Sequence, residues 1–208
     1  MPEDPSILSR HLQIRSPSNW VVRFAPLVPA DGRVLDLAAG GGRHARYFLD
    51  RGHGVLAADK NISAMADLAA MDDAEVMEID LEDGKPWPFT DETFAAVVVS
   101  NYLFRPHLPG LIESLMPRGV LIYETFARGN EAFNRPRNPD HLLKSGELLD
   151  LARERLQVVA YEHGVIAEEP AGVKQRLCAL NDLGWSDRDD GEPAAYDLYP
   201  DPDGGNDD

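Results

Sequence analysis

The stretch Leu35-Asp36-Leu37-Ala38-Ala39-Gly40-Gly41-Gly42-Arg43-His44 is the point from which the rest of the sequence can be read. A short aliphatic run, Arg33–Ala38, leads into three glycines. Arg43–Arg51 follows, with Ala45, Phe48 and Leu49 at helical spacing. The pattern predicts a strand, a tight turn and a helix. Glycine in such a turn lets the backbone bend sharply and lets a ligand approach closer than any Cβ would allow. The free N–H groups of the following helix face the same space. Seventeen residues beyond Gly42, a second aliphatic run ends in Asp59. A carboxylate there can accept two hydrogen bonds from a ribose diol. Glycines and strand-end acid together predict a nucleoside cofactor. Gly40 to Ala45 also satisfies G-x-G-x-x-A, so an NAD(P)-dependent oxidoreductase is a rival reading. Asp36 weighs against it, because a carboxylate ahead of the glycines repels a diphosphate and favours a cationic amine or sulfonium.

Outward from this unit, Val55–Asp59, Val76–Asp80, Ala95–Ser100 and Val120–Thr125 read as further strands. Their nearly continuous apolar runs suit strands covered on both faces of a parallel sheet. Ser63–Met71, Pro109–Met116 and a segment opening at Ser145 read as the intervening helices. Leu156–Tyr161 and Val173–Leu180 are joined by a loop containing Gly164, Pro170 and Gly172, with no helix-length segment. They are expected to form an antiparallel hairpin at the sheet edge. The predicted fold class is α/β, a doubly wound Rossmann-like, seven-stranded, mainly parallel sheet with an antiparallel terminal strand pair. Ser18 is expected to cap a short helix, Asn19–Phe24, ended by Pro26 and Pro29.

These features resemble the class I S-adenosylmethionine-dependent methyltransferases over about Trp20 to Asp182. That family's first motif, a strand, an acid and G-x-G-x-G, falls on Asp36, Ala38, Gly40 and Gly42, with alanine in place of the first glycine. Asp59 matches the ribose-binding acid, and Asp80-Leu81 the adenine-contacting pair. Pro86 to Ser100 is similar to the approach to the family's fourth strand, with Ala95 where an Asp is usual. The resemblance implies that S-adenosyl-L-methionine is the cofactor and that the chain is an enzyme transferring methyl by direct displacement. The expected cofactor-binding set is Asp36, Ala38, Gly40, Gly42, Asp59, Lys60, Asp80, Leu81 and Asn101. Arg135 to Leu151 is similar, over a shorter span, to the tellurite-resistance-type branch, where a comparable K-x-G-E-L leads into a helix.

The acceptor is expected at the carboxyl ends of strands four and five. Ser100-Asn101-Tyr102-Leu103 is not the [D/N]-P-P-[Y/F/W] motif of enzymes that methylate exocyclic base amines. Cys178 sits in a terminal strand and is read as a buried residue rather than a nucleophile. Tyr102 and His107 are the candidates for substrate contact or proton removal. Arg105, Arg128, Arg135 and Arg137 are the candidate substrate residues and favour an anionic group, with pairing to Glu131, Asp140 or the acidic tail as the alternative. The six histidines show no metal-ligand spacing, so no metal is expected. A small-molecule acceptor is the leading expectation. Protein and RNA acceptors stay open, as does a non-catalytic cofactor-binding protein that recruits a partner.

The 208 residues suit one domain, divided as an N-terminal arm (1–17), a methyltransferase domain (18–185) and an acidic, disordered tail (186–208). The formal charge is −16. Half lies in the tail and half in Asn61–Gly84, so the remainder is neutral and a nucleic-acid partner is disfavoured without being ruled out. The Asn61–Gly84 acids are read as a solvated rim around the predicted adenosine side. One cysteine excludes an internal disulfide. With no secretory signal and no membrane-length apolar run, the expected compartment is the cytoplasm.

Overall fold

A computed structural model describes residues 14–133, 135–168, 170–184 and 192–199. Its strands are β1 (Arg33–Leu37), β2 (Gly54–Asp59), β3 (Ala74–Glu78), β4 (Phe94–Ser100), β5 (Leu115–Phe126), β6 (Gln157–Ile166) and β7 (Gly172–Leu180). They form one seven-stranded sheet in the order β3-β2-β1-β4-β5-β7-β6. β1 to β5 run parallel, and β7 pairs antiparallel with both β5 and β6. The doubly wound sheet with an antiparallel terminal pair is therefore as the sequence implies. Among the described residues no helix is long and apolar enough to cross a membrane.

The four described α-helices are α1 (Asn19–Phe24), α2 (Arg43–Leu49), α3 (Leu108–Glu113) and α4 (Glu147–Ala152). Alternate strand residues feed two cores because successive side chains point to opposite faces. Leu35, Leu37, Val97, Val99, Leu121 and Leu177 pack with α3 and α4. Val34, Val55, Ala96, Val98, Ile122 and Cys178 pack with α1 and α2. The Cys178 thiol is fully buried, and burial raises its pKa, which leaves it inert. Ser18 caps α1 as expected, its Oγ accepting from the Trp20 N–H at 3.2 Å.

Several segments depart from the sequence reading. Ser63–Met71 is not a helix but a run of turns with a 3₁₀ segment, Leu68–Ala70. Arg46 Nη2 takes the Ala64 carbonyl at 3.1 Å, and Asp72 and Asp73 would face the negative end of a helix dipole. α3 stops at Glu113 because Leu115 already pairs with Phe94. β3 ends at Glu78, so Asp80 lies just beyond it. Three acids of the Asn61–Gly84 rim are ion-paired, Glu75 with Arg33 at 2.7 Å, Asp67 with Arg46 at 2.6 Å and Asp83 with Lys85, Glu75 and Asp67 staying exposed. Residues 192–199, part of the tail expected to be disordered, lie against the domain. Gln157 Nε2 donates to the Ala194 carbonyl at 2.8 Å, and Arg23 Nε donates to that of Leu198 at 2.8 Å. The Arg23 guanidinium lies 4.5 Å from the Tyr199 ring centroid. The rest of the tail, and residues 1–13 of the arm, fall outside the described residues.

Candidate functional site

The carboxyl end of β1 turns over in a run of left-handed residues. Ala38 (φ +53°), Gly40 (φ +57°) and Gly42 (φ +73°) alternate with ordinary ones, and Gly42 caps α2. The left-handed conformation costs an L-residue about 1–2 kcal/mol, so Ala38 carries strain that glycine would not. Glycine at this position also frees the unfolded chain by about 0.4–1 kcal/mol, which offsets part of the gain. Ala38→Gly is therefore expected to stabilise the protein by about 1 kcal/mol and raise Tm by about 2–4 °C in calorimetry.

Asp59 holds this turn against the neighbouring strand. Its Oδ2 accepts from the Gly40 N–H at 2.7 Å and its Oδ1 from the Asn61 N–H at 2.8 Å. Each oxygen keeps a free lone pair. A Cβ built on Gly40 meets nothing within 4 Å, whereas one on Gly42 comes within 2.6 Å of Leu68 Cδ1 and 3.0 Å of Met65 Cγ. The two glycines thus serve different ends, Gly40 fronting open space and Gly42 allowing close packing. Open space above Gly40, beside a carboxylate with spare lone pairs, fits the ribose end of a nucleoside. Two outcomes follow. Gly40→Ala is expected to cost about 1–2 kcal/mol in stability, from its backbone angle alone, and to weaken cofactor binding by more than about tenfold. Gly42→Ala pairs the same strain with overpacking and loses about 2–5 kcal/mol in stability. Thermal melts with and without S-adenosylhomocysteine separate the two.

Arg46 secures the loop after β2. It donates to Asp67 Oδ2 at 2.8 Å and Oδ1 at 2.6 Å and to the Gly41 carbonyl. The bidentate guanidinium draws the exposed Asp67 carboxyl down to about 2.

Asp36 does not front the cleft. It is 1 % exposed and accepts from the Ala45 N–H at 3.0 Å, with His44 Nδ1 at 3.8 Å from its other oxygen. Direct stabilisation of a sulfonium by this carboxylate is not the arrangement found. Asp36 anchors the start of α2 beneath the turn. His44 accepts from the Ser18 N–H at 3.2 Å through Nε2, tying α1 to α2.

The residues expected on the adenosine side follow β2 and β3 directly. Lys60 is exposed just past Asp59, and Asp80 is exposed with Oδ1 accepting from the Glu82 N–H at 2.9 Å. Leu81 is buried, and its carbonyl lies 2.8 Å from His107 Nε2. His107 itself is 4 % exposed and packed edge-on against Trp87 and Phe104. Its ring positions the Leu81 backbone and does not reach an acceptor, which corrects the expectation of proton removal there. Tyr102 is half-buried, and burial, then Glu82, Asp80 and Asp59, push its phenol well above the ordinary range, which disfavours proton removal by a phenolate and leaves substrate contact as the expected role.

The arginines expected to bind substrate are largely committed elsewhere. Arg105 Nε and Nη2 form a bidentate pair with Glu147 at 2.6 and 2.9 Å, while Nη1 donates to the Asp140 carbonyl and Nη2 also to that of Leu142. That arginine clamps the start of α4 to the loop after β4. Arg128 pairs with Glu131 at 2.6 Å. Arg135 and Arg137 are exposed on the loop beyond β5.

Sequence reasoning missed the buried charges at the carboxyl ends of β4 and β5. Glu124 and Lys174 are each 2 % exposed. Glu124 lies opposite Arg176 in the β5–β7 register, and their side chains form an ion pair at 3.1 Å. Ser100 Oγ donates to Glu124 Oε1 at 3.0 Å and accepts from Arg43 Nη2 at 3.0 Å. Lys174 Nζ donates to Asn101 Oδ1 at 3.1 Å. The legible signal was charge inside apolar strands, with Lys174 and Arg176 two residues apart and so on one face. Among the described residues there is no group of three metal-ligating side chains.

No protein-family model matches the chain, and no curated protein matches it. Solved structures do. An S-adenosylmethionine-dependent methyltransferase from Methanosarcina mazei superposes with a TM-score of 0.59 at 14 % identity, covering 80 % of this chain and 98 % of that one. The Burkholderia thailandensis 1,6-didemethyltoxoflavin-N1-methyltransferase, solved with its substrate and S-adenosylhomocysteine bound, gives 0.58 at 19 % identity, covering 78 % and 76 %. TehB from Haemophilus influenzae gives 0.60 at 18 % identity, covering 77 % of this chain and 61 % of that one. At such identities the likeness is one of fold. Strand order, the terminal antiparallel pair and these superpositions give the chain the α/β Rossmann-like fold of the S-adenosylmethionine-dependent methyltransferases.

Proposed function

We propose that the protein is an S-adenosylmethionine-dependent methyltransferase acting on a small-molecule acceptor. The observation that carries this reading is the Asp59 carboxylate latched to the Gly40 amide at 2.7 Å, with open space where a Gly40 side chain would be. Bound S-adenosylmethionine supplies an electrophilic methyl group on a sulfonium. Asp59 would take the ribose hydroxyls, the glycine turn would lie along the nucleoside, and Asp80, Leu81 and Lys60 would flank the adenine. Asn101, the left-handed residue after β4, would bound the opposite side. No side chain need attack the methyl, since the acceptor provides the nucleophile. The chain's own task is alignment and exclusion of water.

The fold neighbour solved with S-adenosylhomocysteine bound supports the cofactor assignment, and Lys144-Ser-Gly-Glu-Leu leading into α4 supports the tellurite-resistance-type branch, whose member TehB shares the fold. Calorimetry is expected to show S-adenosylhomocysteine binding in the micromolar range. A folded protein that binds neither it nor S-adenosylmethionine, or binds a nicotinamide dinucleotide instead, overturns the reading. Incubation with radiolabelled methyl donor and size-fractionated cell extract then identifies the acceptor class, with label expected in the small-molecule fraction.

A further inference from the structure

The N-terminal segment from Ile14 to Ser18 covers a cavity of about 370 Å³ whose walls hold more cations than carboxylates. Arg15, Arg43, Lys174 and Arg176 line it against Glu124 and Glu168. Arg176 is fully engaged, by Glu168 at 2.9 Å, Glu124 at 3.1 Å and Glu162 at 3.6 Å. Arg43 and Lys174 are not. Arg43 donates to the Ser16 carbonyl at 3.2 Å and the Ser100 hydroxyl at 3.0 Å, and Lys174 donates to Asn101 Oδ1 at 3.1 Å. All three acceptors are neutral oxygens. Among the described residues neither cation has a carboxylate at ion-pairing distance.

Burying such charges costs several kcal/mol each unless an anion answers them. Burial pulls both groups below their ordinary pKa values. Glu124 opposes the shift at each, with Asp36 adding to that at Arg43 and Glu168 at Lys174, while Arg176 and Arg43 deepen it at Lys174. The cation excess also stands out in a chain of net charge −16, where excess positive charge is not a property of the surface at large.

We propose that this cavity is the acceptor site and that Lys174 seats a carboxylate group of a small organic acceptor in it. The inference rests on the methyltransferase reading above. Lys174 is the better anchor of the two. Arg43 follows Gly42 directly and spans from Ser16 to Ser100, so it borders the cofactor side of the cavity. Lys174 stands across the sheet on β7, with its Nζ 5.1 Å from the Phe126 ring centroid. One of its three N–H donors goes to Asn101, which leaves two for an anion.

The test uses the full chain saturated with S-adenosylhomocysteine, so that the cofactor's own carboxylate site is filled. Aromatic and aliphatic monocarboxylic acids, each with its primary amide, are screened by ligand-observed NMR, with inorganic phosphate as a competitor. At least one acid is expected to bind about tenfold more tightly than its amide, with the preference lost in Lys174→Met and retained in Lys174→Arg. Equal binding of acids and amides, no acid binding, or acid binding unchanged in Lys174→Met overturns the proposal. Phosphate displacing the acids at equal concentration overturns the carboxylate assignment. A further measurement compares S-adenosylhomocysteine with 5′-methylthioadenosine, which lacks the amino-acid portion. If Lys174→Met removes the discrimination between these two, the anion is the cofactor's and the proposal fails. Should wild-type protein bind no S-adenosylhomocysteine, the methyltransferase reading falls, and acid binding to the cofactor-free protein then reports separately on the cation pair.

Discussion

Asp59→Ala is expected to weaken S-adenosylhomocysteine binding by at least about 100-fold while the protein stays folded. A carboxylate accepting from both ribose hydroxyls makes two charge-assisted hydrogen bonds worth about 1.5–3 kcal/mol each. Their loss amounts to about 3–6 kcal/mol, or two to four decades in affinity. The carboxylate also sets the shape of the site, since it holds the Gly40 and Asn61 amides in place. Asp59→Asn isolates part of this. Both oxygens already accept from amides, so the introduced NH2 must face one of those N–H groups, donor against donor. The asparagine variant should therefore fall between wild type and alanine despite its matched shape. Titration calorimetry on the three proteins reads the order directly. Alanine binding within about threefold of wild type would make Asp59 a turn anchor with no part in ligand recognition.

Much of the frame was legible because it follows from short-range rules. Short, nearly continuous apolar runs marked all seven strands, and the lack of a helix between Tyr161 and Val173 predicted the antiparallel β6–β7 pair. The glycine cluster marked the turn that carries Gly40 and Gly42 in left-handed conformations. Ser63–Met71 misled because its composition favours a helix locally, whereas the Ala64 carbonyl is claimed by Arg46, eighteen residues earlier.

The candidate site was only half legible, for a physical reason. A side chain's type shows in the sequence, but whether it reaches the cleft depends on partners far along the chain. Asp36, His107 and Arg105 stand at the positions the motifs indicate, yet each is spent on an internal bond, to Ala45, Leu81 and Glu147 respectively. Three of the four cations that do line a cavity come from α2 and β7, and the fourth, Arg15, from the N-terminal segment. Lys174 is 73 residues from Asn101, its hydrogen-bond partner, and no local pattern reports that meeting.

Glu124→Gln is expected to be strongly destabilising for so conservative a change. Glu124 is the most buried of the three carboxylates within ion-pairing distance of Arg176, Glu168 and Glu162 being more exposed, and it also stabilises Lys174 and Arg43 electrostatically. Removing one member of a buried pair typically costs about 3–5 kcal/mol, and because Arg176 keeps Glu168 and Glu162 the loss is expected at the lower end, about 3 kcal/mol. For a chain of this size that corresponds to a Tm loss of roughly 6–12 °C. Burial alone would raise the Glu124 carboxyl, but Lys174, the Ser18 and Ser100 hydroxyls and Arg176 together hold it below its usual value of 4.5. Its folded pKa is thus lower than its unfolded one, so its stabilisation is complete above the unfolded value and is lost as pH falls through the folded one. The Tm gap between wild type and Glu124→Gln should accordingly be full at neutral pH and close in acid. Lys174→Met should behave in the opposite way. It deletes a buried cation whose direct hydrogen-bond partner is a neutral amide oxygen, so it should leave stability nearly unchanged and restore part of what Glu124→Gln loses when the two are combined. A lysine that can be removed without loss of stability, at a position where its burial is costly, is retained for binding. If Lys174→Met proves as destabilising as Glu124→Gln, the lysine is structural and the cluster is a packing feature of the sheet.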